Sequence, residues 1–135
     1  MKLHILRLVP NDDLRQTLAI EAGRRNIAAG FILSTVGSLS RACLRFADEN
    51  AARLVGGPLE ILSLSGTLSP DGCHLHIAVS DARGAVTGGH VIEGCVIRTT
   101  AEIVIGEAPG MAFARVHDGT TGYRELVIKP VAAIV

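Results

Sequence analysis

Residues 58–80 read PLEILSLSGTLSPDGCHLHIAVS, and how they pair decides the fold. Ser69-Pro70-Asp71-Gly72 carries a type I turn signal, with proline second and glycine fourth. Pairing Ser69 with Gly72 sets Gly66 opposite Leu75, Leu64 opposite Ile77 and Leu62 opposite Val79. These residues form an apolar face, which Cys73 joins and near whose end the same parity puts Glu60. The other face sets Ser63, Ser65 and Thr67 against Ala78, His76 and His74. A one-residue slip would mix the two faces, so the pattern supports the register. The segment predicts an antiparallel hairpin with a dry side and a polar wall.

Outward from the hairpin, residues 2–9 (KLHILRLV) suit a first strand that Pro10 ends. Asn11 is the expected helix cap, with Asp12 and Asp13 at the positive end of the helix. Leu14, Leu18 and Ala22 then recur at helical spacing, and Arg24 and Arg25 fall near its C-terminus. Residues 27–47 predict two extended segments joined around Gly37, and the polar residues 48–57 a loop. A further loop is expected to end at His90. In GCVIRTTAEIVIGEA (residues 94–108), Ile97, Thr99, Ala101, Ile103 and Ile105 share the parity of a buried strand face. A last hairpin turns around Gly119. The class expected is α/β of the α+β type, a mainly antiparallel twisted sheet of about seven strands with helical cover.

With 135 residues and no interdomain linker, the expectation is a single domain over residues 1–135. Thirteen basic and thirteen acidic side chains cancel, so no overall field draws the chain to polyanions. One Tyr, three Phe and no Trp leave little material for base-stacking platforms. Cys43, Cys73 and Cys95 are odd in number and lack a C-x-x-C pair, so reduced thiols in a cytoplasmic protein are expected. The opening residues lack a small-residue cleavage site, and no apolar run reaches about 18 residues, so no membrane span is expected.

Three of the five histidines fall within residues 74–90. His74 and His76 share a strand face because side chains alternate with period two. His90, after Gly88 and Gly89, can approach that face. An H-x-H plus one distant His is one way to supply three imidazoles to Zn2+, or to another divalent transition metal, leaving a position for water or a small-molecule ligand. Ser63, Ser65, Thr67, Gly88 and Gly89 are the expected pocket lining. Cys73 points away from His74, which argues against a thiolate ligand. GAVTGGH lacks the lysine and spacing of a phosphate loop, so its glycines are read as serving a tight turn. Asp81, Glu93 and Glu102 are isolated carboxylates, expected to be solvated or ion-paired. His4 and His117 are distant in sequence and are given no role, and no catalytic residue is assigned.

Four ordered segments, GFILSTVGSLSRACLRFAD, PLEILSLSGTLS, HLHIAVSDARGAVTGGHV and GCVIRTTAEIVI, together resemble the PPC domain conserved in plants and prokaryotes. The resemblance implies an α/β fold, a homotrimer and, as in prokaryotic members, a metal held by the H-x-H and G-G-H histidines. Those positions here are His74, His76 and His90. It also implies a DNA-binding or regulatory role, chiefly through the AT-hook of plant members. This chain has no R-G-R-P tetrapeptide and no basic run at either end. Any DNA contact is therefore expected to be weak. Two other readings stand beside this one: a zinc-dependent enzyme using the open position, and a purely structural assembly module.

Overall fold

The computed structural model describes residues 1–132. Its elements are β1 (Lys2–Leu8), α1 (Leu14–Arg24), β2 (Gly30–Arg45), β3 (Arg53–Ser69), β4 (Gly72–Ser80), β5 (Val86–Val91), β6 (Val96–Glu107), β7 (Met111–His117) and β8 (Arg124–Pro130). The chain is thus a mainly antiparallel sheet with one helix and, among the described residues, eight strands rather than seven. Strands β1-β6-β2-β3-β4-β5 form one sheet and β7-β8 a second. The large sheet curls until β5 also meets the end of β2, pairing Leu44 with Val91 and Arg45 with His90. Helix α1 packs on β3 and β4. Leu14, Leu18, Leu39, Leu44, Leu68, Leu75, Ile97 and Ile103 are among the residues of one buried cluster.

The decisive hairpin has the expected register from Ser69–Gly72 through Ser63–Ala78. Beyond it the pairing shifts, and Ile61, not Leu62, faces Val79. Leu62 and Ser63 are consecutive exposed residues, as a β-bulge requires, and Leu62 is 55% exposed. The bulge inverts the parity behind it, so Glu60 lies in solvent rather than on the dry face.

Other expectations are corrected by close backbone packing. Gly37 joins no two segments; it lies inside the continuous β2, where a Cβ would collide with the carbonyl of Thr100 on β6. The expected loop at 48–57 ends early, because Arg53–Gly57 already belong to β3. His90 and the two glycines before it lie in strand β5, not in a loop or tight turn. Thr99 has the expected parity but is exposed, its Oγ1 bonded to Ser38 Oγ at 2.6 Å.

Asp13, not Asn11, caps α1. Its Oδ1 accepts from Gln16 N at 2.9 Å, and its Oδ2 accepts from Gly94 N at 2.6 Å. Asn11 instead takes a left-handed turn conformation at φ 73°. Cys43, Cys73 and Cys95 are free and buried. Residues 133–135, the end of the aliphatic PVAAIV segment, lie outside the described residues. No described helix is long and apolar enough to cross a membrane.

Candidate metal centre

The polar wall of the hairpin becomes a site because β5 pairs with β4 and sets His90 directly opposite His76. The ring centroids of His74, His76 and His90 lie 4.9, 5.1 and 5.6 Å apart. One nitrogen from each ring lies within 4.8 Å of the others. Three ligands around a tetrahedral zinc need about 3.4 Å between nitrogens, so small ring rotations close the set.

Glycine makes this convergence sterically feasible. Gly66 sits on β3 opposite Leu75, between the two β4 histidines, at φ 145°. A Cβ there would overlap the His74 carbonyl. On β5, a Cβ at Gly88 would lie 2.7 Å from the Ile77 carbonyl and one at Gly89 2.8 Å from that of Arg45. Strand β5 fits between β4 and β2 because it carries no side chains there.

Burial and nearby positive charge favour the neutral form of two of the rings. Burial, then the charge of Arg115 and the neighbouring His76, lower the pKa of His74. Burial and Arg45, followed by the other two imidazoles, push His90 down to about 4. Neutral imidazole is the form that ligates metal.

Two clefts open on the cluster. One of about 330 Å³ lies against His74 and His90 and is walled by Arg15, Arg45, Arg115, Arg124, Asp71 and Glu125. The other, about 700 Å³, runs past all three histidines beside Gly88, Gly89 and the 45–50 segment. Ser65 and Thr67 line a smaller recess with His74 and His76. Ser63, facing Ala78 next to the bulge, lines none of these three spaces.

The other titratable residues weighed from the sequence do not join the histidine group. Cys73 contributes to the wall of the cleft of about 330 Å³ but stands outside the three-histidine group, and burial pushes its thiol pKa up, against thiolate formation. Asp81 Oδ1 accepts from the backbone N–H groups of Arg83 and Ala85, holding its own loop. Glu93 and Glu102 are exposed and line none of the three spaces. His4 is buried and bonded to Glu107 at 2.8 Å, and His117 is exposed at the end of β7.

The four arginines are what sequence reading missed. They come from α1, β2, β7 and β8, and no spacing links them. Only the curl of the sheet and the docking of the β7–β8 hairpin bring them together. That hairpin is fixed by Arg115, whose backbone N donates to Asp71 Oδ2 and whose Nη2 donates to Thr67 Oγ1, both at 2.8 Å.

A curled antiparallel sheet with a single helix and a three-imidazole group on its polar face defines a class of small β-rich proteins with a candidate metal site. Residues 1–109 match the Plants and Prokaryotes Conserved domain, abbreviated PCC or PPC, and the chain belongs to that family. Among solved structures, a hypothetical protein from Salmonella enterica is 40% identical, with a TM-score of 0.92 over 96% of this chain and 94% of that one. A metal-containing protein from Archaeoglobus fulgidus is 28% identical, with a TM-score of 0.81 over 94% of each chain. The Bifunctional protein GlmU of Synechococcus sp. strain JA-2-3B'a(2-13) is 53% identical over 132 residues, 98% of this chain and 21% of that protein. The chain thus spans about a fifth of the length of the curated relatives it matches.

Proposed function

We propose that this chain is a metal-binding module in which His74, His76 and His90 hold one divalent transition metal, Zn2+ by preference, and leave a position open to a ligand. The observation that carries this reading is the approach of three ring nitrogens to within 4.8 Å with no acidic residue or cysteine in the group. Three imidazoles suit zinc, and the lowered pKa values of His74 and His90 keep two donors deprotonated at neutral pH. The similarity to a metal-containing archaeal protein supports the same reading. The chain's own groups hold the site in place: Gly66, Gly88 and Gly89 set the strand spacing, and Arg115 docks the hairpin that walls it.

Elemental analysis of protein purified from zinc-replete culture tests this directly, with about one ion per chain expected and none in His76→Ala. Metal-free wild-type protein that takes up no zinc on titration would refute it.

A zinc-dependent enzyme is the second reading, favoured by the cleft that reaches His74 and His90. A zinc ion held by His74, His76 and His90 would lower the pKa of a bound water to near 7. Asp71 and Glu125 share that cleft, and the carboxylate oxygens not bonded to Arg115 N and Thr121 Oγ1 would be the groups to orient such a water. The module is further proposed to act as a homotrimer. Leu3, Ile5, Val36 and Leu62 are exposed apolar residues on β1, β2 and β3, and a partner subunit would cover them. Zero net charge and the missing R-G-R-P tetrapeptide support only weak DNA contact.

A further inference from the structure

We infer that the cleft beside the three histidines is a receptor for a small oxyanion, a carboxylate or phosphate group, held by arginines that face the metal position. The inference rests on the metal-site reading and names the class of ligand that the open position would take.

The charge inventory carries it. Arg15, Arg45, Arg115 and Arg124 line one cleft with Asp71 and Glu125, leaving two positive charges in excess. Among the described residues none of the four arginines forms an ion pair. Both carboxylates accept hydrogen bonds from other groups, Asp71 from Arg115 N and Glu125 from Thr121 Oγ1. Each guanidinium has five N–H donors, and few are used here. Arg15 donates one bond, to the Cys73 carbonyl at 3.3 Å, and Arg124 one, to the Arg115 carbonyl at 2.7 Å. Arg45 has its guanidinium carbon 5.9 Å from the centre of the Tyr123 ring. Arg15 and Arg45 are half-buried, so their spare donors are partly withdrawn from water.

Gathering four like charges around a partly enclosed space is unfavourable unless an anion joins them. Arg15, Arg45, Arg115 and Arg124 line the same cleft as His74 and His90. An oxyanion placed between them would meet guanidinium forks on one side and the metal position on the other, the arrangement in which Arg outperforms Lys. A space of about 330 Å³ admits a small molecule rather than a polymer.

The test is calorimetric titration of zinc-loaded protein with inorganic phosphate and with succinate at about 0.15 M salt, glycerol serving as the uncharged control. Saturable binding with Kd below about 1 mM is expected for at least one anion and none for glycerol. Arg15→Gln and Arg45→Gln should each weaken it about 10-fold or more, and Arg45→Lys should only partly rescue. Arg98→Gln, on β6 away from the cleft, should change nothing. Which anion binds distinguishes phosphate from carboxylate ligands. No saturation by about 10 mM of either anion, or binding indifferent to Arg15 and Arg45, overturns the receptor. Metal content is measured separately. Should the chain hold no metal, the same titrations on the metal-free protein decide the arginine site, and only the histidine reading fails.

Discussion

His4 and the His74–His76–His90 group use one residue type in opposite ways. His4 occupies a core position on β1, in line with Leu6 and Leu8, and is 5% exposed. It meets the Glu107 carboxylate, whose second oxygen accepts from Ala28 N at 3.1 Å. The other three rings meet one another beside a cleft that holds four arginines with Asp71 and Glu125, and among the described residues no carboxylate is hydrogen-bonded to any of them. A histidine beside a carboxylate fastens strands together. Histidines beside each other, near positive charge, are instead a candidate metal site, with the neutral form favoured at His74 and His90.

The sharpest way to break this contrast is to swap readouts. His90→Ala should abolish stoichiometric metal uptake, while Glu107→Ala should leave it intact, as elemental analysis can check. Loss of metal in Glu107→Ala at unchanged fold would dissolve the distinction. Glu107→Ala should instead cost about 1–3 kcal/mol of stability in urea denaturation, because His4 and the Ala28 N–H lose a buried partner.

The pH dependence sharpens the contrast further. In metal-free protein the folded pKa of His90 is depressed to about 4, whereas its ordinary value is 6.5. The unfolded chain therefore binds the proton first, and stability falls as pH drops from 6.5 through about 4. His90→Asn should flatten that window. At Glu107 burial raises the pKa, but the bonds from His4 and Ala28 N outweigh it, so the net value lies below 4.5. Its contribution is present above 4.5 and is lost only as pH falls through the lower folded value. Thermal melts between pH 7 and 3 separate the two windows. The smallest expected signal is duplex DNA binding, weaker than about 10 μM and without sequence preference in an anisotropy titration at physiological salt.

The hairpin was legible because period-two alternation and a proline-glycine turn agree from Ser63 to Ala78, and that stretch holds two of the three histidines. The bulge was not, because Leu62 continues the alternation of leucines while the backbone steps past it. Gly37 and Gly88-Gly89 read as turns for a related reason: strand propensity counts side chains, whereas here a neighbouring strand needs their absence. The His90 position was legible as a residue but not as a strand residue. Asn11 and Asp13 are both good caps by residue type, and the bond from the Gly94 amide to Asp13, 81 positions away, is not visible in the local sequence. The arginine wall left no trace in the sequence, since its members are far apart along the chain and lie on four elements.

That cap has a kinetic corollary. One Asp13 carboxylate holds the first turn of α1 through Gln16 and the β5–β6 connection through Gly94. Leu14 N adds a backbone bond to the Cys95 carbonyl at 2.8 Å. The helix therefore cannot fray at its N-terminus without also releasing the segment that follows β5. In hydrogen–deuterium exchange, the amides of Gln16 and Gly94 should share one opening event, and Asp13→Ala should accelerate both together. Arg15 rides on that same turn, so the cleft and the helix start share a single clock.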